Sequence, residues 1–115
     1  MSTTTSQARI IVVEDEITVA LSIRQSLQLM GYTVPELAAS GAEAIDKIRR
    51  HAPDLVLMDI GLPGKMDGIE AARQINRRFG TPVIFITGHT DPTTFQRAKK
   101  TIPAGYIPKP FTEQE

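Results

Sequence analysis

Short segments made only of apolar residues alternate along this chain with amphipathic segments, and this alternation constrains the fold more than any other feature. Runs of four apolar residues occupy positions 10–13, 55–58 and 83–86. Strands that are apolar at every position are typical of parallel sheets whose two faces are both covered. We therefore predict an α/β fold in which a doubly wound parallel sheet has helices on both faces.

The segments between the apolar runs have the periodicity of helices. The first helix is predicted over positions 14–30 and ends at Gly31, and the second begins at a capping box of Ser40 and Glu43 and stops near Pro53. The third and fourth helices are predicted to begin at Asp67 with Glu70 and at Asp91 with Pro92. The positions predicted to face inward are, helix by helix, Ala20, Ile23, Leu27 and Met30; Ala44, Ile45 and Ile48; Ile69, Ala72, Ile75 and Phe79; Phe95, Ala98 and Ile102.

Two weaker strand patterns, at positions 33–39 and 104–107, complete a five-stranded sheet. Pro35 has no N–H to give to a strand ladder, so the second strand is predicted at a sheet edge. An edge position favours the flavodoxin-like strand order 2-1-3-4-5. In such a sheet ligands bind beyond the carboxyl ends of strands one and three.

Polar residues stand at the predicted carboxyl ends of four strands. Glu14 and Asp15 follow the first strand, Asp59 the third and Thr87 the fourth, and Lys109 lies just past the fifth. Three carboxylates brought together repel one another unless a cation lies among them. Oxygen ligands without His or Cys favour magnesium, manganese or calcium, and an aspartate can attack phosphorus covalently.

The composition restricts the remaining possibilities. A chain of 115 residues is one domain, and thirteen basic residues against thirteen acidic ones give no net charge for holding nucleic acid or an anionic membrane. It has no cysteine, which suits a reducing cytosol, and no apolar run near the roughly 20 residues that cross a bilayer. Residues 1–8 are expected to be a polar tail without the features of a signal peptide.

Four spaced motifs, "VVEDE", "LMDIGLPGKMDG", "FITG" and "GYIPKPF", closely resemble the receiver domain of two-component response regulators, a family that includes the chemotaxis response regulator. The resemblance covers about residues 9–112 and implies that Asp59 is the phosphoacceptor. The resemblance also implies that Glu14 and Asp15 form an acidic pocket, and that Asp15, Asp59 and the Gly61 carbonyl hold magnesium or manganese. It implies that Thr87 and Tyr106 form a switch pair, and that Lys109 binds phosphate.

The resemblance further implies a signalling switch in the cytoplasm, and not an enzyme with a separate substrate. Its partners would be a sensor histidine kinase or phosphotransfer protein and an attached or separate output domain, with dimerisation through the fourth helix and fifth strand and no direct contact with nucleic acid or membrane. Residues 9–115 would form the receiver domain. Because the sequence ends where a fifth helix should begin, we expect that helix to be largely missing and the natural protein to continue. A sensor kinase, a cyclase and a DNA-binding module all remain open as the output.

Two other functions remain open. A magnesium phosphohydrolase similar to haloacid dehalogenases would need a D-x-D motif after the first strand and a cap domain, whereas this strand ends in Glu-Asp-Glu. A receiver-like interaction module that is not phosphorylated would be expected to lack Asp59, Thr87 or Lys109, and all three are present. His51 and His89 are expected to be surface residues that do not donate phosphate.

Overall fold

The computed structural model describes residues 8–88, 92–101 and 103–108. These residues form a five-stranded parallel sheet of order β2-β1-β3-β4-β5, which confirms the predicted fold class and strand order. The elements in chain order are β1 Ile10–Val13, α1 Ile17–Leu29, β2 Leu37–Ala38, α2 Gly41–His51, β3 Leu55–Asp59, α3 Gly68–Phe79, β4 Val83–Thr87, α4 Pro92–Lys99 and β5 Gly105–Pro108. No helix in these ranges is long and apolar enough to cross a membrane.

Side chains of the apolar strands alternate between two buried clusters, one on each face of the sheet. On the face that we call the α2/α3 face, Val56, Met58 and Phe85 pack with residues of α2 and α3 such as Ile48 and Ile75. On the opposite face, the α1 face, strand residues including Val12, Leu57 and Ile86 pack against Ile23 and Leu27 of α1. The sheet is therefore buried from both sides, as wholly apolar strands require.

Helix α1 begins at Ile17, so the prediction that it starts at position 14 is wrong. The N-cap Glu16 has an extended backbone, and its N–H donates to Glu14 Oε2 at 3.2 Å, which keeps residues 14–16 in a loop. At the other end, Gly31 adopts a left-handed conformation with φ 96°, and the Tyr32 N–H donates to the Leu27 carbonyl at 3.0 Å. This hydrogen bond ends the helix as predicted.

The predicted caps of α2 and α3 are present. Ser40 Oγ accepts the Glu43 N–H at 3.1 Å, and Glu43 Oε1 accepts the N–H of Ala39, one residue earlier than in the standard capping box. Asp67 Oδ1 accepts the Glu70 N–H at 2.9 Å. The predicted cap of α4, Asp91, lies outside the described residues.

Several details differ from the sequence prediction. Strand β2 has only two residues because Pro35 interrupts the ladder, and a single bridge joins Thr33 to Arg9 upstream of it. Strand β5 begins at Gly105 and extends to Pro108. Two positions predicted to face inward are exposed: Met30 is the C-cap of α1, and Phe95 lies on the lightly packed α4. Ile45 and Phe79 are partly buried, the other predicted inward positions in the described residues are buried, and Ile102 lies outside those residues.

Candidate phosphoacceptor site

Three carboxylates meet at the carboxyl ends of β1 and β3. These strands are neighbours in the sheet, and Val13 pairs with Met58, so that Glu14 and Asp59 follow side by side. One carboxylate oxygen from each of Glu14, Asp15 and Asp59 lies within 4.8 Å of the other two. The sequence therefore predicted the position of this acidic cluster correctly.

The three acidic residues differ in burial. Glu14 and Asp59 are 2% and 6% exposed, whereas Asp15 is exposed to solvent. The Gly61 N–H donates to Asp59 Oδ1 at 3.0 Å, and the Glu16 N–H donates to Glu14 Oε2. These backbone donors orient the two buried carboxylates and partly compensate for the loss of water around them.

The donor set fits a hard divalent cation. Buried like charges in contact are unfavourable unless a positive charge or a proton is close to them, and all three side chains offer only oxygen ligands. Magnesium typically uses one or two protein carboxylates and keeps several waters, which the solvent exposure of Asp15 permits. The Gly61 N–H contacts Asp59 Oδ1, and the role of the Gly61 carbonyl as a ligand stays a prediction.

Gly68 supports the site and was not singled out in the sequence. A Cβ atom placed on Gly68 would lie 2.1 Å from the backbone oxygen of Asp59, a distance that no side chain can adopt. The first residue of α3 therefore packs directly on the backbone of the central aspartate. The available signal was a glycine at the start of a predicted helix, since glycine is a poor helix former and often marks close backbone approach.

The predicted switch residues lie on the two strands beyond β3. Thr87 ends β4 and is half-buried, and its neighbour Ile86 pairs with Asp59 in the sheet. Tyr106 in β5 has its ring between Phe85 and Phe95, with centroid distances of 6.1 and 5.2 Å. Its phenolic oxygen is buried and has no hydrogen-bond partner within residues 8–88, 92–101 and 103–108. Lys109 lies outside the described residues.

His51 lies away from the acidic cluster, in the last turn of α2, and is half-buried. Its Nε2 is 3.7 Å from Glu36 Oε2, and Lys47 lies 3.2 Å from the other oxygen of Glu36. The hydrogen bond and charge of Lys47 hold the pKa of the Glu36 carboxyl below its ordinary value. This group of charges ties α2 to the segment before β2 and is separate from the candidate site. His89 lies outside the described residues.

Together, the doubly wound sheet and the acidic cluster at its topological switch point define an α/β domain with an acidic crevice. The sequence model of the response regulator receiver domain family matches residues 10–115, so the chain belongs to this family. Receiver domains are the phosphorylation-controlled signalling switches of two-component response regulators. The resemblance drawn from the four motifs is confirmed.

Known proteins with similar sequences are response regulators. The chain is 32% identical over 104 residues to the transcriptional regulatory protein PdtaR of Mycobacterium tuberculosis, covering 90% of this chain and 50% of that protein. It is 38% identical over 109 residues to the response regulator MprA of Mycobacterium sp. strain KMS, covering 93% of this chain and 46% of MprA. The chain thus spans about half the length of these curated relatives.

Solved receiver domains have the same fold. The signal receiver domain of a modulated diguanylate cyclase from Desulfovibrio desulfuricans G20 superposes with a TM-score of 0.90 at 37% identity, covering 95% of this chain and 86% of that one. A CheY-like receiver domain protein from Methanospirillum hungatei JF-1 gives a TM-score of 0.83 at 30% identity, with the same coverage of 95% and 86%.

Proposed function

We propose that this chain accepts a phosphoryl group on Asp59 from a histidine kinase or phosphotransfer protein, and that the phosphorylated form controls an output domain. The observation that carries the proposal is the buried Asp59 carboxylate, with oxygens of Glu14 and Asp15 within 4.8 Å. Such a cluster is costly to fold around and suits a site that must bind a cation and a phosphoryl group.

The reaction moves the phosphoryl group from a nitrogen of the donor phosphohistidine to an Asp59 carboxylate oxygen. The P–N bond breaks, the P–O bond forms, and the electron pair of the broken bond stays on the imidazole nitrogen. The Gly61 N–H holds Asp59 Oδ1, which fixes the orientation of the carboxylate before attack. Magnesium or manganese, held by Asp15, Asp59 and the Gly61 carbonyl, would neutralise charge on the carboxylate and the incoming phosphoryl oxygens.

Thr87 and Lys109 would then bind the new phosphoryl oxygens, one through a hydroxyl and the other through an ammonium group. Movement of Thr87 would leave space for the ring of Tyr106. Because the Tyr106 hydroxyl has no hydrogen-bond partner in the described part of the chain, turning the ring inward breaks no hydrogen bond there. Phosphorylation can shift the conformational equilibrium only by as much as its contacts differ in free energy between the unphosphorylated and phosphorylated conformations.

The partners follow from the same proposal. The donor would be a sensor histidine kinase or a phosphotransfer protein, and the site of action would be the cytoplasm. The controlled domain would be attached to this chain or be a separate protein, and α4 with β5 would form the surface for dimerisation.

Incubation with acetyl phosphate and magnesium, followed by intact mass spectrometry, tests the proposal. We expect one acid-labile phosphoryl group on the wild-type chain and none on Asp59→Asn, because the amide is neither an anion nor a good nucleophile. Asp54→Asn is the matched control, since Asp54 lies at the other end of β3, where its Oδ2 accepts the Arg9 N–H and an amide oxygen can replace it.

Each alternative outcome has a definite meaning. Phosphate incorporated equally by Asp59→Asn would contradict the assignment of Asp59. Catalytic release of phosphate without a phosphorylated protein would indicate a phosphohydrolase. A wild-type chain that takes up no phosphate would indicate an interaction module that is not phosphorylated.

The requirement for a divalent cation is tested in the same assay. Excess chelator should abolish phosphorylation, and added magnesium or manganese should restore it. Asp15→Ala should weaken cation binding strongly, whereas Glu16→Ala should not, because the side chain of Glu16 makes no cap hydrogen bond and lies outside the cluster. Full phosphorylation in the presence of chelator would contradict the metal assignment.

A further inference from the structure

Helix α4 is docked on the domain by few buried groups. Among its residues Ala98 is buried, while Phe95 is 39% exposed and its ring centroid lies 5.2 Å from that of Tyr106. Lys99 Nζ lies above the outer face of Phe95, 5.8 Å from the ring centroid. A helix with so little buried apolar surface is expected to unfold locally at a lower free-energy cost than global unfolding of the domain.

An ion pair fastens this helix to the start of α3. Arg97 Nη2 lies 3.2 Å from Asp67 Oδ2, across thirty positions of sequence. The other oxygen of the same carboxylate, Oδ1, caps α3 by accepting the Glu70 N–H. Asp67 thus links two helices with its two oxygens.

Asp67 is also fixed relative to the candidate phosphoacceptor. The next residue, Gly68, packs on the backbone oxygen of Asp59, and the loop between them, residues 60–67, contains Gly61, whose N–H donates to the Asp59 carboxylate. A phosphoryl group on Asp59 would change the charge and size of the group that the Gly61 N–H contacts. Gly61 and Asp67 lie in the same loop, which connects the two positions along the backbone.

We propose that the Asp67–Arg97 ion pair is a latch that holds α4 in its unphosphorylated position and couples that position to the backbone at Asp59. The inference rests on the proposed function and deepens it. Asp67 and Arg97 are positioning residues that never touch the phosphoryl group. The side chains of Arg97 and Asp67 are 48% and 30% exposed, so the pair tunes the equilibrium of α4 by a small factor and is sensitive to salt.

Four variants of the full chain test the latch: Arg97→Gln, Asp67→Asn, the double variant and Arg97→Lys. Asparagine caps helices as well as aspartate does, so Asp67→Asn removes the ion pair and keeps the cap of α3. Arg97→Lys keeps the charge. Arg73→Gln is the matched control, since it removes the pair with Glu70 at 3.1 Å within α3 and leaves α4 untouched.

Two quantities are measured for each variant: amide hydrogen exchange over α4 in the unphosphorylated protein, and the initial rate of phosphorylation by acetyl phosphate with magnesium. Losing either partner should speed both by about two- to fivefold, the size expected for a partly exposed ion pair. The double variant should equal the single variants, Arg97→Lys should resemble wild type, and about 1 M salt should remove the differences.

Unchanged exchange over α4, additive effects in the double variant, or an equal effect of Arg73→Gln would overturn the latch. Faster exchange with unchanged phosphorylation rates would also overturn it, because the pair would then be structural only. A wild-type chain that accepts no phosphate contradicts the proposed function instead, and the exchange measurement still decides whether the ion pair holds α4.

Discussion

The two faces of the sheet differ in how many buried apolar residues cover them. Within the described residues, the α2/α3 face has a cluster of sixteen buried apolar residues and the α1 face a cluster of seven. The α1 face also has a groove of about 210 Å³ beside α1, lined by strand residues such as Leu57, Ile84 and Ile107. Met30 and Tyr32 stand at the groove and are 37% and 40% exposed.

This difference shows where the candidate site gets its rigidity. The strands are apolar on both faces, so the contrast comes from the helices and loops that cover them. Ile60, Leu62 and Met66 anchor the loop after Asp59 in or against the cluster of the α2/α3 face. On the α1 face, the described residues contribute the short acidic loop before α1 to the site. One side of the site is therefore built on a dense core and the other on a lightly covered surface.

The strongest effect is expected where α3 meets the backbone of Asp59. Gly68→Ala would place a Cβ 2.1 Å from the Asp59 oxygen, so α3 must move away from β3. Overpacking should cost about 4 kcal/mol of unfolding free energy, at the upper end for such changes because the overlap is with backbone that cannot rotate away; urea denaturation measures this.

Gly61→Ala is the matched control for this substitution. Its Cβ would meet Asp59 Oδ1 at 3.8 Å, an ordinary contact, so its unfolding free energy should stay near that of wild type. Equal stability of the two variants would show that α3 is not fixed against Asp59.

Cavity-forming substitutions compare the two faces directly. Ile75→Ala on α3 removes a fully buried side chain and should cost about 3 kcal/mol, whereas Leu27→Ala on α1, which lines the groove, should cost about 2 kcal/mol. The cost is smaller at Leu27 because part of its surroundings is already open. Urea denaturation of both variants checks this, and equal losses would mean that the α1 face is as densely packed as the other.

Much of the fold follows from local features of the sequence. The apolar runs predicted the central strands, Pro35 predicted the edge position of the second strand, and Ser40 and Asp67 predicted two helix starts. These predictions succeeded because each depends on a single strand or helix end. The acidic cluster was also predictable, since parallel strands bring their carboxyl ends to one edge of the sheet.

Features that depend on packing between elements were missed. The prediction that the first helix starts at position 14 is wrong because Glu14 is buried close to Asp59 and its side chain accepts the Glu16 N–H. The contact of Gly68 with the Asp59 backbone requires knowing how α3 approaches β3. The exposure of Phe95 likewise depends on how lightly α4 packs.

A smaller effect of opposite sign is expected at the acidic cluster, which lies at the carboxyl ends of β1 and β3. Asp59→Asn removes one of three adjacent carboxylates, two of them buried, and should raise the unfolding free energy without metal by about 1 kcal/mol. Thermal unfolding in chelator measures this. A lower stability would mean that favourable contacts of the Asp59 carboxylate outweigh the repulsion.

The smallest effect is expected at the end of α2, on the densely packed face. Ala52 caps this helix in the left-handed conformation, with φ 45°, where an L-residue is strained and glycine is not. The Arg9 guanidinium donates to the carbonyls of His51 at 2.5 Å and of Ala52 at 3.3 Å, and these hydrogen bonds hold the strained residue in place. Ala52→Gly relieves the strain and gives the unfolded chain more freedom, so the net gain should be about 0.5 kcal/mol.

Gly80→Ala is the reverse substitution at the equivalent position, the left-handed C-cap of α3. Gly80 is also left-handed, with φ 68°, and a Cβ there would meet nothing within 4 Å, so the change is purely conformational. It should lose about 1 kcal/mol. Both variants are compared with wild type by urea denaturation. A loss of stability in Ala52→Gly would show that the Ala52 methyl group and the smaller freedom of alanine in the unfolded chain outweigh the backbone strain.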